Sequence, residues 1–145
     1  MFEVIREKIK AKLQANSKIQ EVQDFPSQEF GGFPVAIVKS TRNEGAFETT
    51  KENERIYVFT VYLMQDIKSQ GMHKARRIIE GVVDSVMDDF DQDQTLSGVS
   101  LQDALPADKT VLICYPVMTN LGTTDDEKYV VAEIEIKTKI SINIS

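Results

Sequence analysis

The sequence comprises 145 residues, the length of a single domain. Hydrophobic residues make up 41% and charged residues 28%, a balance that excludes a wholly disordered chain and a polytopic membrane protein. The 23 acidic residues outnumber the 17 basic ones, so the net charge is −6 and the chain lacks the broad positive field of a nucleic-acid-binding protein. A local basic patch is compatible with that total.

The single cysteine, Cys114, excludes an intrachain disulfide and a cysteine-based zinc site. Charged residues interrupt the N-terminus where a signal peptide needs a continuous apolar stretch. The densest apolar run, Tyr57 to Met64, is far shorter than the ~20 residues of a membrane span. We therefore expect a soluble, non-secreted protein that forms one domain over residues 1–145.

The N-terminal segment has the pattern of an amphipathic helix. Phe2, Ile5, Ile9 and Leu13 lie on one face at helical spacing. Glu3 near the start and lysines near the end suit the helix dipole. We predict a helix from Phe2 to Leu13.

Two strands are predicted after the turn-forming pair Gly31-Gly32. The first covers Val35 to Val38, and the second covers Arg55 to Met64, which is apolar on both of its faces. The polar residues between them are too many for an ordinary hairpin loop. We predict that residues 41–54 form a protruding arm that contacts a neighbouring subunit or another protein. Its candidate contact residues are Arg42, Asn43, Glu44, Phe47 and Lys51.

A second helix is predicted from His73 to Phe90, because its apolar residues from Ala75 onward recur at helical spacing. A short strand is expected near Val99. A further strand is expected from Thr110 to Met118, ending at a turn over residues 120–122.

The C-terminal segment alternates between apolar and polar residues from Val130 to Ile144, which predicts a strand with one dry face. Its length exceeds the ~5–6 residues of an average strand, so we expect the excess to reach another subunit. We predict that Ile134, Ile136, Ile140 and Ile142 are buried. The opposite face, exposed to solvent or to a channel, carries Glu133, Glu135, Lys137 and Lys139.

This order of elements predicts an α+β fold. We expect a mostly antiparallel sheet of four to five strands, with two helices packed on one face and a long C-terminal strand.

Several patterns contain the residue types of metal or catalytic sites. Asp89, Asp91 and Asp93 have the spacing of calcium ligands, but glycine and glutamate are missing from the positions that an EF-hand loop requires. His73 is the only histidine, and Cys114 lies within a predicted strand. The sequence therefore predicts no catalytic residue, no metal site and no cofactor, and we expect the protein not to be an enzyme.

The charges of the second helix oppose its dipole, which favours acids at the N-terminus and bases at the C-terminus. One interpretation is that these charges are exposed and screened. The other is that the basic end of one subunit meets the acidic end of the next, as in a ring. This candidate interface comprises Lys74, Arg76, Arg77, Asp88, Asp89, Asp91 and Asp93.

Taken together, the segments resemble the tail terminator (tail completion) proteins of long-tailed, lambda-like bacteriophages. The resemblance rests on the first helix, the strand from Phe33 to Val38, the polar arm, the strand from Arg55 to Met64, the helix from His73 to Phe90 and the alternating terminal strand. It covers nearly the whole chain, but it is one of layout, because the family has no catalytic motif.

The resemblance implies a structural virion protein that forms a hexameric ring on the tail tube, stops its polymerisation and joins it to the head-completion proteins. It implies a place at the head-proximal end of the tail after assembly in the host cytoplasm. DNA would only pass through the channel, and no membrane is involved. The alternatives are another head–tail connector or tail-tube-like phage protein, or a small α+β enzyme or ligand-binding domain.

Overall fold

Five strands in the order β1-β2-β3-β5-β4 form one sheet in the computed structural model, which describes residues 1–24, 30–47 and 52–143. The strands are β1 (Glu21–Gln23), β2 (Val35–Phe47), β3 (Glu52–Asp66), β4 (Lys109–Thr123) and β5 (Tyr129–Asn143). The helices are α1 (Phe2–Gln14), α2 (Met72–Asp91) and the short α3 (Leu101–Ala104). A 3₁₀ turn, Ser97–Val99, precedes α3.

The sheet is antiparallel except for β1, which pairs in parallel with the first three residues of β2. Both long helices pack on one side of it, called here the inner face. The predicted α+β class, the mostly antiparallel sheet and the long C-terminal strand are therefore confirmed.

The core forms between the helices and the inner face. Helix α1 contributes Ile5, Ile9 and Leu13 at its buried positions, as the spacing predicts. Helix α2 adds a longer buried stripe that ends at Phe90. The sheet supplies alternate residues, among them Phe59 of β3, which are excluded from water because side chains on a strand alternate between its two faces.

Strand β5 lies in the interior of the sheet along its whole length. Ile134, Ile136 and Ile140 are fully buried as predicted, whereas Ile142 is only half-buried, since it lies beside the end of the sheet at Asn143. The expectation that the excess length reaches another subunit is wrong. Strand β3 pairs with β5 from Tyr129 to Asn143, and β4 pairs with nearly as much of its other edge.

The polar segment 41–54 does not lie between two strands. Its described residues belong to them, because β2 continues to Phe47 and β3 begins at Glu52. The ladder between the two continues to the pair Phe47–Asn53. Polar residues extend the strands here because this end of the sheet has charges paired across it, as described below.

Three further features of the structure differ from what the sequence predicts. Residues 120–122 are not a turn but lie within β4, beside a register irregularity between Met118 and Asn120. Asn and Gly predicted a turn, but a bulge also accommodates them. Val99 ends a 3₁₀ turn rather than forming a strand. Strand β1 was not predicted, since three polar and apolar residues carry no periodic signal.

Candidate assembly surfaces

The face of the sheet opposite the helices, called here the outer face, carries charged residues predicted from two separate segments. Arg42 of β2 forms ion pairs with Glu44, at 2.7 Å, and with Glu135 of β5, at 2.9 Å. These contacts join the predicted arm to the predicted exposed face of the terminal strand. Strand register explains the contact, because Arg42 is opposite Val58 of β3, which is in turn opposite Lys137, the second residue after Glu135.

The ion pairs shift the titration of their members. Hydrogen bonds to Glu135 and then to Glu44 raise the pKa of the Arg42 guanidinium above its ordinary value. The hydrogen bond from Arg42 lowers the pKa of Glu44, and the nearby charge of Lys137 adds to that effect. Both shifted groups are in contact with water, so screening by solvent keeps their contribution to stability small.

A second cross-strand pair lies nearer the end of the sheet. The Lys139 ammonium is 2.8 Å from the carboxylate of Glu54. The outer face thus carries paired charges of both signs, and its four predicted residues on β5 are half-buried rather than fully exposed.

Two of the remaining predicted arm residues, Asn43 and Phe47, belong to β2. Asn43 is exposed and pairs with Tyr57 along the ladder. Phe47 ends β2, and Lys51 lies outside the described residues. Their proposed role as contacts stays a prediction.

At the other end of the outer face is a half-open groove of about 690 Å³. Its floor is largely apolar, and Asp24, Lys39 and Glu133 supply charges around it. The lining residues are Asp24, Phe30, Ile37, Lys39, Tyr62, Met64, Asn120, Gly122, Thr123, Thr124, Val131 and Glu133. Asp24 is held at this surface by Lys10 of α1, whose ammonium is 2.6 Å from its carboxylate.

An aromatic cluster stands at the same end. The rings of Phe33 and Tyr129 stack with centroids 5.8 Å apart, and Phe30 contacts both edge-on. Phe33 precedes Pro34 through a cis peptide bond. Aromatic pairs of this geometry add ~0.5–1.5 kcal/mol beyond the area they bury. Phe30, which lines the groove, is therefore held in place by the other two rings.

Sequence reasoning missed the groove, although one signal was present. The segment from Arg55 to Met64 is apolar on both faces, yet helices cover only one of them. Tyr62 and Met64 are on the uncovered face and line the groove. A contiguous apolar patch on a strand face that has no covering element marks a binding surface.

The basic end of α2 is exposed. Lys74, Arg76 and Arg77 all face solvent, and the Arg76 guanidinium lies 3.3 Å from Glu80 one turn along the helix. Within α2, the first turn holds no acid and the last turn no base, as the sequence predicts.

The acidic end of α2 divides into two kinds of residue. Asp88 and Asp91 are exposed, whereas Asp89 accepts a hydrogen bond of 2.8 Å from the buried side chain of Asn16. Asp93 is bound still more tightly within the chain. Asp89 and Asp93 thus have partners within the chain, whereas Asp88 and Asp91 face solvent, and the role of this end as an interface stays a prediction.

Asp93 fastens the end of α2 to α1 and to the turn that follows. Its carboxylate accepts hydrogen bonds from Lys12 at 2.9 Å and from the backbone of Ser97 and Gly98. Burial opposes ionisation, but these hydrogen bonds outweigh it and lower the pKa of Asp93. A Cβ at residue 98 would lie 2.8 Å from this carboxylate, so a larger residue there would displace Asp93 from its present position.

The two residues considered for catalysis lie apart. Cys114 is buried in β4, where Thr138 donates a hydrogen bond of 3.3 Å to its sulfur. Burial raises the pKa of the thiol to about 12, so it stays protonated at neutral pH. His73 is exposed in the first turn of α2. Among the described residues, no three histidine, cysteine or carboxylate side chains cluster as metal ligands would, and no helix has the length and hydropathy to cross a membrane.

Comparison with known proteins gives a likeness of fold. No family model and no curated protein sequence matches the chain. Among solved structures, the chain is similar to a component of the virion of a native gene transfer agent particle, with a TM-score of 0.56 at 11% identity. The alignment covers 94% of this chain and 94% of that one. At this identity the likeness shows a shared fold over nearly the full length of both chains.

Proposed function

We propose that this chain is a structural virion protein of a phage-like particle, and more specifically the terminator of its tail. One observation carries the proposal: the fold matches a chain of a gene transfer agent virion over 94% of both lengths. The sequence resemblance to tail terminators, which rests largely on the order of helices and strands, also supports it.

In this proposal the chain forms a hexameric ring on the last layer of the tail tube. The ring blocks further addition of tube protein and offers its other side to the head-completion protein. DNA passes through the opening without being held there. The outer face suits such contacts because it combines exposed ion pairs with an apolar groove, the two features that make interfaces specific and stable.

The test of the whole proposal is the length of the tails. In a particle-producing strain from which this gene has been deleted, we expect tubes that exceed normal length and carry no head. A plasmid copy of the gene should restore normal tails. Tails of normal length attached to heads in the deletion strain would contradict the proposal, and absence of any tube would instead favour a tube-like protein.

The exposed ends of α2 are our candidate for one ring contact. Lys74, Arg76 and Arg77 of one subunit would approach Asp88 and Asp91 of the next. Reversing Arg76 and Arg77 to Glu should weaken self-association and leave the monomer folded, because acids suit the start of a helix. Wild-type assembly should also weaken as salt rises, since the Debye length shrinks from ~10 Å at 0.1 M to ~3 Å at 1 M.

Sedimentation velocity of the double variant against wild type measures this contact. The matched control is Glu80→Lys. It removes the acid that pairs with Arg76 and adds a positive charge one turn further along α2. Rings that persist in the double variant at micromolar concentration would remove this contact from the proposal.

A second candidate function is favoured by the groove. Its size of about 690 Å³, apolar floor and convergent charges are those of a small-molecule site. Thermal-shift screening of the purified chain tests this, with Val131→Trp as the variant that fills the groove. A compound that raises the melting temperature of wild type but not of the variant would support ligand binding. A screen in which no compound shifts the melting temperature would count against it.

A further inference from the structure

The two edges of the sheet are open over different parts of their length. On one side, β1 pairs with β2 only from Val35 to Ile37. No other strand of the described chain lies against the rest of that edge, so β2 is open from about residue 39 to Phe47. Such an edge presents unpaired backbone groups to any chain that approaches.

The opposite edge, formed by β4, is covered over its first half. The side-chain amide of Gln102 donates to the carbonyl of Lys109 at 2.9 Å and accepts from the N–H of Val111 at 2.8 Å. The N–H of Cys114 bonds to the carbonyl of Gln94. The segment around α3 thus occupies the edge groups that a neighbouring strand would otherwise pair with.

The second half of β4, residues 115–123, has no such cover within the described chain. It carries none of the charged side chains that proteins often use to repel edge pairing, because no charged residue occurs from Thr110 to Thr123. Val117 and Met118 are large apolar residues that remain 39% and 45% exposed there. Pro116 lacks one backbone donor, which leaves seven residues beyond it for pairing.

We propose that the open half of β4 in one subunit pairs with the open part of β2 in the next copy of the chain. The two open stretches have the same length, residues 115–123 and residues 39–47. Their directions also agree. Strand β4 is antiparallel to β5, β5 to β3 and β3 to β2, so β4 and β2 run in opposite senses. Copies joined side by side therefore pair antiparallel and continue the alternation of the sheet.

The positions of the open stretches fix how far neighbouring copies shift. Thr119, the centre of the open half of β4, lies at the level of Val38 and Ile37 in β2 when the register is followed across the sheet. The centre of the open part of β2 is Asn43. Bringing the two together shifts one copy by about five residues, or ~16 Å, along the strands.

This shift has the size that a closed barrel requires. Each copy contributes four full strands, which span ~19 Å across the sheet. A shift of ~16 Å over ~19 Å tilts the strands by about 40°, and closed barrels have tilts of ~35–45°. The edges are therefore open where a closed ring of tilted strands needs them. This inference rests on the ring assembly proposed above and assigns the joint that closes it.

Cross-linking tests the joint directly. Asn43→Cys combined with Thr119→Cys places two thiols opposite each other across the proposed joint, and both positions are exposed. Oxidation should give covalent dimers and a ladder up to the ring on a non-reducing gel. The control combines Asn43→Cys with Leu112→Cys, because Leu112 is 41% exposed but lies on the covered half of β4. Cys114 stays in both variants, since it is buried.

A charge variant gives an independent measurement. Met118→Lys should lower self-association by at least tenfold in sedimentation velocity, while Leu112→Lys should leave it near the wild-type value. Rings that persist with Met118→Lys, or equal cross-linking in both cysteine pairs, overturn the strand joint and leave the ring proposal standing. A wild-type chain that stays monomeric at every concentration would contradict both the strand joint and the ring proposal.

Discussion

Neighbouring residues of β5 have opposite surroundings on the two faces of the sheet. Ile134 and Ile136 are fully buried beneath the helices, whereas Glu135 and Lys137 between and beside them are half-buried and in contact with water. Because one strand supplies both sets, the contrast isolates the effect of the covering layer. It teaches that the inner face carries the stability of the fold and leaves the outer face free for recognition.

The largest expected effect comes from placing the same charge on each face. Ile136→Asp should abolish soluble folded protein, since an unpaired carboxylate cannot be buried without a cost of several kcal/mol. Lys137→Asp, one residue away, should change the free energy of unfolding by less than ~1 kcal/mol. Urea unfolding followed by circular dichroism compares the two. Equal losses would show that the assignment of faces is wrong.

Reactivity of thiols provides the next contrast. Cys114 lies on the inner face, and burial raises its pKa to about 12, so it should resist alkylation at pH 8 in the folded protein. A thiol introduced by Val117→Cys on the outer face should react at least 100-fold faster. Mass spectrometry of each thiol over time gives the rates, with denatured protein as the reference. Rapid labelling of Cys114 without denaturant would contradict a dry inner face.

The layer that covers the inner face is tied down at one point by Asp93. Asp93→Ala should lower the free energy of unfolding by about 2 kcal/mol, because four charge-assisted hydrogen bonds are lost. Asp91→Ala is the matched control, since Asp91 is exposed two residues away. If Asp91→Ala lowers the free energy of unfolding as much as Asp93→Ala does, the effect comes from the charge at the end of the helix and not from the hydrogen bonds of Asp93.

The contribution of Asp93 also depends on pH. Its pKa is lowered in the folded state, so its stabilisation is present above the ordinary carboxyl pKa of 3.8 and disappears as the pH falls through the folded value. The difference in melting temperature between wild type and Asp93→Ala should therefore shrink in acid. A difference that stays constant down to the acid limit of folding would exclude ionisation of Asp93 as its source.

The two faces of the sheet also differ in how well the sequence predicts them. The stripe of α2 and the alternation of β5 predicted the inner face correctly, because burial under helices forces a strict period. The sequence did not predict the contacts made by the Asp-rich end of α2. Asp89 and Asp93 have ligand-like spacing, yet they bind Asn16 and Lys12, which lie over 70 residues away along the chain.

The outer face could not be predicted in the same way. Strand β2 beyond Val38 is polar on both sides, and its strand character comes from pairing with β3 rather than from its own residues. The partnership of Arg42 with Glu135 spans 93 positions and depends on the register of three strands. Open edges are likewise a property of strand order, which a single sequence pattern does not contain.

The smallest expected effect belongs to Arg42 itself. Arg42→Ala removes two ion pairs, but the side chain is 41% exposed, so we expect only a small loss of stability that vanishes in 1 M salt. A double-mutant cycle with Glu135→Ala measures the coupling, and Lys139→Ala removes a second cross-strand pair on the same face for comparison. A large coupling that persists in high salt would mean that the outer face stabilises the fold as the inner face does, and the contrast between the two faces would fail.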